Sequence, residues 1–464
     1  MRIEQDCVGT LAVPDEAKYG IHSLRALQNF PISAEKTNLS IIYNLVAIKQ
    51  AAAKVNMDAG TLAADKARAI IKAGDDVLAG KYDDQFIIPA IQGGAGTSTN
   101  MNVNEVLANV AKQYSHDYIH PNDDVNQSQS TNDTYPTAGK MALLQHLPKL
   151  LKELDRMQTC LILKADKFSN DIKVGRTQLQ DAVPTTFGAS FHAYYSMFKR
   201  DIKRIKTAGE DISVVNLGGT AIGTGLNTSS YYCHHIIEEL NRISGFQLKS
   251  AADLIDATQN CDDFVEFSSA LKAFAVDLIK FSNDLRLLSS GPQAGLGELK
   301  LPAKQAGSSI MPSKVNPVIP EVVNQVAFEV IGHDTTVMLA AQAGQLELNA
   351  FEPIILRDLL DGESMLTRAV NTLTKNCLQD IDVDREHSRE EVENSAISAT
   401  VLSPMLGYER SMKLIKQAVK EHHSVKQLLI AQHVLPLGTI DDLFSVDRLL
   451  NRNETEPKEH AASK

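Results

Sequence analysis

Tryptophan is absent from this 464-residue chain, and aromatic residues make up only 5% of it. Stacking platforms for nucleic-acid bases need such rings, so that class of function is disfavoured. Basic residues are also in deficit: 46 Lys and Arg stand against 57 Asp and Glu, a formal net charge of -11. Binding a phosphate backbone needs the opposite balance, although an acidic whole leaves room for a locally basic pocket. The five cysteines (Cys7, Cys160, Cys233, Cys261, Cys377) are far apart, odd in number and form no Cys-x-x-Cys. They predict a reducing compartment with buried or incidental thiols, neither a disulfide framework nor a zinc ribbon. No run of about 18 apolar residues is present, and Met1 to Asp6 carries no apolar signal stretch. The expectation is a cytoplasmic protein that engages neither nucleic acid nor membrane.

What the chain does have is helical periodicity. Phe264, Phe267, Leu271, Phe274, Leu278, Phe281, Leu285 and Leu288 recur at alternating steps of three and four, the narrow seam of a coiled-coil-like bundle helix. Segment 141–168 repeats the theme with Leu144, Leu147, Leu151, Leu154 and Leu161, and Pro148 is expected to kink or restart it. Val322, Val326, Val330 and Val337 are expected on one side of a helix, as are Leu366, Val370, Leu373 and Cys377 of another. Period-2 alternation is scarce, so strands should be few and short. Helices of about 25–30 residues are roughly 40 Å long, and with seams this narrow they call for a bundle completed by other subunits. The sequence therefore predicts a mainly all-α fold in three parts: a mostly helical N-terminal domain (1–136), a central long-helix bundle (137–390) and a small C-terminal helical domain (391–464). The charged tail from Asn451 is expected to fray.

Chemistry gathers in polar loops. Gly307-Ser308-Ser309-Ile310-Met311-Pro312-Ser313-Lys314-Val315-Asn316-Pro317 packs hydroxyls, an ammonium and an amide between glycine and proline. A core would not collect so many donors, since each one buried unpaired costs roughly 1–3 kcal/mol. Three further polar segments are Gln92–Asn100, Pro121–Pro136 and Gly175–Asp181. Thr97–Asn100 ahead of a helix at Met101–Ala111, and Ser130–Asp133, read equally well as helix caps. Capping needs only one side chain, however, and helix N-termini also bind carboxylates. Gly218–Gly225 has no preceding strand and no Gly-Lys-Ser/Thr ending, so it is not read as a nucleotide loop. His116 and His120 have zinc-pair spacing but no third ligand, and with the pairs His234-His235 and His422-His423 they are read as surface residues.

The loop Gly307–Pro317 resembles the signature of the fumarase/aspartase superfamily. Gly96-Thr97-Ser98-Thr99-Asn100-Met101-Asn102, Ser130-Thr131-Asn132-Asp133 and Gly175-Arg176-Thr177-Gln178-Leu179-Gln180-Asp181 join it, in order, over nearly the whole chain. Pro317–Val326, Asp181–Pro184 and Asp442–Val446 resemble the aspartase branch in particular. The resemblance implies a homotetramer with active sites shared between subunits, needing no cofactor and no metal. It implies reversible deamination of L-aspartate to fumarate and ammonia through an aci-carboxylate, with Ser308 as general base. It places Thr97, Ser130, Thr131 and Ser309 on the β-carboxylate, Lys314, Thr177 and Asn316 on the α-carboxylate, and Asn132 and Gln178 near the amine. Many fumarases carry His where this chain has Gln178, and Ser where it has Ala95. The glycine-bearing stretch Gly295–Pro312 is expected to close over the substrate. Alternatives are fumarate hydration and a catalytically silent helical member of the superfamily.

Overall fold

The computed structural model describes residues 1–311, 313–395, 397, 401–421 and 423–450; Pro312, His422 and the tail from Asn451 lie outside the described residues. The chain forms two compact units. One comprises 1–152, 201–276 and 326–368; the other comprises 153–200, 277–325 and 369–464.

The first unit opens with a hairpin of β1 (Arg2–Asp6) and β2 (Gly9–Val13), then α1 (Ile21–Asn29). Helices α2 (Leu39–Asp58), α3 (Ala64–Leu78) and α4 (Thr97–Ala111) follow, and α5 (Thr131–Lys167) begins here. Asn38 starts α2 by accepting the Ser40 N–H at 2.9 Å. That helix is apolar on nearly every side because α3 and a later helix pack against it. Glu105 of α4 sits under the α1 N-terminus and accepts the Gly20, His22 and Ser23 N–H groups at 2.8, 2.9 and 3.2 Å. A carboxylate there complements the helix dipole and fixes α4 relative to α1. Arg25 of α1 is engaged with Asp6 at 2.8 Å and the Gly9 carbonyl at 3.0 Å.

Next come β3 (Ile172–Thr177), β4 (Gln180–Thr186), α6 (Phe187–Ile212), β5 (Val214–Val215), α7 (Ser230–Ser244), β6 (Lys249–Ser250), α8 (Asp256–Gln259) and α9 (Asp262–Leu288). After β7 (Leu299–Lys300) come α10 (Val318–Gln342), α11 (Glu352–Asn376), β8 (Asp382–Val383) and α12 (Arg385–Asn394). Short helices α13 (Ser403–Leu406), α14 (Tyr408–Glu421), α15 (Val425–Ala431), α16 (Leu437–Leu443) and α17 (Val446–Leu449) end the described chain. They enclose a small core of their own in the second unit, built on Leu402, Leu414, Leu428, Leu429 and Ile440. The five longest helices, α5, α6, α9, α10 and α11, contribute residues to both units.

The mainly helical expectation holds, and every sheet among the described residues has two strands. The α9 seam from Phe264 to Leu285 is buried throughout. Three local expectations change. Helix α5 runs through Pro148 without a restart. The missing N–H forfeits one backbone bond, while the buried Leu147, Leu150, Leu154 and Met157 hold the flanking turns in place. On α10 the buried stripe is Val323, Ala327, Val330 and Val337, whereas Val322 is 43% exposed. And Gly218–Gly225 is preceded by a strand after all, the two-residue β5, which pairs in parallel with β6. No helix among the described residues is long and apolar enough to cross a membrane.

Candidate active site

Of the residues singled out above, Thr97, Ser130, Thr131 and Asn132 belong to the first unit. Thr177, Gln178, Ser308, Ser309, Lys314 and Asn316 belong to the second.

In the first unit the polar cluster Thr97–Asn100 lies inside α4 and forms its first turn, one residue group earlier than the sequence suggests. Gly94, Ala95 and Gly96 cause this by adopting left-handed conformations (φ 91, 53 and 84°) that end the loop abruptly. Gly96 has a second constraint, since a Cβ there would strike the Tyr135 ring. Thr97 is half-buried, and its hydroxyl has no partner among the described residues. At the start of α5, Ser130 Oγ accepts the Asn132 N–H at 3.2 Å, and Asp133 accepts the Ser130 N–H at 2.9 Å. This is a reciprocal cap, so the capping reading is correct for Ser130 and Asp133. It leaves the Ser130 O–H able to donate. Thr131 Oγ1 accepts from the Asn100 amide at 3.1 Å, and the Asn132 amide donates to the Ala221 carbonyl at 2.7 Å.

Beneath these two helix starts lies a buried polar network that sequence reasoning missed. Lys49 of α2 is wholly buried and donates to Asn126 Oδ1 at 2.7 Å. The same oxygen receives the Asn100 and Asn104 amides, each at 3.2 Å. Burial drives the Lys49 ammonium down to about 7, with Asp133 pulling the other way. Burial likewise pushes Asp133 up to about 6, against N–H groups of Ser130, Thr220 and Gly218. The Gly218 and Thr220 N–H groups reach Asp133 at 3.0 and 3.1 Å, so the glycine-rich loop holds a carboxylate of the protein itself. The signal available for Lys49 was its place directly after the apolar run Leu45–Ile48. A lysine there is either misplaced or functional.

In the second unit, β3 and β4 meet in a two-residue turn at Gln178 and Leu179, both left-handed at φ 53 and 62°. Such a turn normally takes Asn-Gly or Gly-Gly. Keeping Gln and Leu there stores backbone strain, a feature that concentrates at functional loops. Thr177, Gln178 and Leu179 are exposed at the tip. Arg176, one residue further down, turns away to the fully buried Glu298, with Glu391 at 3.5 Å and Asp181 at 3.9 Å. Burial and the neighbouring Glu298 together push the Glu391 carboxyl up to about 6. This ion cluster ties the hairpin to the segment after α9 and to α12.

The loop from Gly307 folds on itself. The Gly307 N–H donates to the Lys314 carbonyl at 2.8 Å, and the Asn316 amide donates to the Gly307 carbonyl at 2.8 Å. A Cβ at Gly307 would collide with the Lys314 carbonyl, so the closure requires glycine. Inside this ring Ser308 Oγ accepts the Ile310 N–H at 3.1 Å and the Met311 N–H at 2.9 Å. Two backbone donors aimed at one hydroxyl oxygen favour its negatively charged form. Ser309 and Lys314 are exposed, and the Lys314 ammonium has no partner among the described residues.

Comparison with known proteins gives this geometry a lineage. Residues 9–332 match a family model described as lyase, and residues 399–451 match one described as fumarase C C-terminus. Aspartate ammonia-lyase of Bacillus subtilis is 46% identical over 450 residues, 96% of this chain and 95% of that one. The chain belongs to the aspartate ammonia-lyase branch of the fumarase/aspartase superfamily. Aspartate ammonia-lyase of Escherichia coli K12 is 45% identical over 97% of this chain and 96% of its own length. Among solved structures, a fumarate lyase:delta crystallin from Brucella melitensis superimposes with a TM-score of 0.93 at 45% identity, covering 97% of this chain and 98% of that one. A class II fumarase from Schistosoma mansoni gives 0.91 at 34% identity, over 97% and 100%.

Proposed function

We propose that this chain is a carbon–nitrogen lyase that reversibly deaminates L-aspartate to fumarate and ammonia, with Ser308 as the base. The observation that carries the assignment of Ser308 is the pair of N–H groups, from Ile310 and Met311, on its Oγ. A serine oxygen takes a carbon-bound proton only if its anion is stabilised, and these donors supply that stabilisation without a cofactor. Ser308 Oγ removes a proton from the β-carbon, and the electron pair enters the β-carboxylate as an aci form. Thr97, Ser130, Thr131 and Ser309 donate to that carboxylate, while Lys314, Thr177 and Asn316 hold the α-carboxylate. The Cα–N bond then breaks toward Asn132 and Gln178, and ammonia leaves. The loop bearing Ser308 closes over the substrate to exclude water.

The same reading makes the protein a cytoplasmic homotetramer whose active sites draw on several subunits. Large apolar side chains left exposed on α10 within the first unit support it: Phe328 (57%), Met338 (46%) and Leu339 (50%). The same proposal divides the chain into three domains at 136/137 and 390/391. Ser308→Ala tests the mechanism. Turnover should fall at least about 10²-fold, the least that a lost general base costs, with oligomer size and circular dichroism unchanged. Near-normal turnover in a folded variant removes Ser308 from its role.

A further inference from the structure

Lys49 of α2 is wholly buried, yet no carboxylate among the described residues lies within 4.0 Å of its ammonium. Asp133 acts on it only across a gap, as a charge. A buried charge without a direct partner is costly, so a lysine kept there is kept for what its donors do. It donates to Asn126 Oδ1 at 2.7 Å. An ammonium has three donors and no acceptor, which settles a choice that an asparagine leaves open. The two ends of an amide have nearly the same shape, and their partners decide which end faces where. Facing Lys49, Asn126 must present its oxygen. The Gln129 carbonyl accepts from the other end of the same amide at 3.3 Å, which agrees but is the longer contact.

The choice is passed on within the first unit, to which all these residues belong. Asn126 Oδ1 also faces Asn100, so Asn100 turns its NH2 that way, at 3.2 Å. The same NH2 donates to Thr131 Oγ1 at 3.1 Å. The Thr134 hydroxyl does little to fix the Asn100 amide: it lies 3.4 Å from Asn100 Oδ1 and gives its proton to the Ser130 carbonyl at 2.8 Å. Asn104 donates to the same Asn126 oxygen, but its own oxygen is buried without a partner, so it follows the direction and does not set it. Having accepted from Asn100, Thr131 Oγ1 keeps its own proton, for which no acceptor is found among the described residues. That proton is left to donate outward.

We propose that Lys49 is a positioning residue for the deamination: through Asn126 and Asn100 it fixes the Thr131 hydroxyl as a donor to the β-carboxylate of the substrate. The inference rests on the function proposed above. Without Lys49, the amides of Asn126 and Asn100 can both turn over, and Asn100 then shows Thr131 an oxygen. The Thr131 proton goes to that oxygen and is lost to the substrate.

Steady-state kinetics of the full chain with L-aspartate test this in a double-mutant cycle. Lys49→Gln keeps a polar end but can face Asn126 with either side of its amide. It and Thr131→Val should each lower kcat by about 10²-fold, the loss that follows removal of one donor to a developing oxyanion. kcat should fall by more than KM rises, since that bond strengthens as charge reaches the carboxylate. The double variant should be no slower than the slower single one, because both changes remove the same donor. Losses that multiply, or a folded Lys49→Gln variant with near-normal kcat, overturn the proposal. If Lys49→Gln does not fold, Asn100→Asp carries the test, because an acceptor-only group at that place turns the Thr131 proton inward. Adding Thr131→Val to Asn100→Asp should then cost nothing further. A charge effect alone would leave the Thr131 contribution intact, and a second full loss overturns the relay. A wild type that leaves L-aspartate unchanged overturns the deamination reading and this inference with it. An active wild type with multiplying losses overturns this inference alone.

Discussion

Glu352 lies wholly buried in the first unit, and burial pushes its carboxyl up to about 8, with Lys140 opposing and Asp263 adding to the shift. A carboxyl that holds its proton more tightly folded than unfolded gives stability that is complete below its unfolded value. That stability is lost as pH rises through the folded one. For Glu352 the window runs from the ordinary 4.5 to about 8. Across it, wild-type unfolding free energy should fall relative to Glu352→Gln by up to about 1.4 kcal/mol per pH unit. Urea titrations at several pH values read this directly, and parallel pH profiles of the two proteins contradict it. The residues around the candidate site divide by what the sequence could show of them. Ser308 and Lys314 drew notice as donors gathered in one glycine- and proline-bounded loop, while their roles and that of Thr97 came from the resemblance of their segments to the family. Lys49, Asn104 and Asn126 were not legible as a network, because two helices and a turn bring them to one oxygen only after packing. Arg176 was legible as part of a polar loop, but its direction, inward to Glu298, was not.

Among the elements, the β3–β4 hairpin carries the clearest local conflict. Leu179 pays the left-handed penalty of roughly 1–2 kcal/mol that glycine avoids. Leu179→Gly should therefore raise stability by about 0.5–1 kcal/mol in chemical denaturation, since the freer unfolded chain returns part of the gain. A loss of stability would show that the exposed leucine makes contacts that outweigh the strain. Helix positions were largely readable because each long helix has a buried seam, as on α9. Where the reading slipped, the cause was physical. On α10 one stripe of valines looked like the seam, but Ala327 shifts the buried side by one residue and exposes Val322. In α5 a proline was expected to kink or restart a helix that continues without a restart, with neighbouring leucines buried on both sides of it.

For the whole molecule, the proposed tetramer predicts complementation. Thr131 and Ser308 lie far apart in sequence on different elements, and shared sites would let a Thr131→Ala chain supply the loop that a Ser308→Ala chain lacks. Co-refolded mixtures of the two inactive variants should regain a measurable share of activity, up to about a quarter of the sites in a random mixture. No recovery in verified mixed oligomers places each site within one chain. The central claim is deamination of aspartate, and purified protein supplied with L-aspartate or L-malate tests it most directly, by following fumarate absorbance and ammonium together. The account predicts equimolar fumarate and ammonium from L-aspartate and none from L-malate. Fumarate from L-malate with L-aspartate untouched, or no reaction with either, would contradict it.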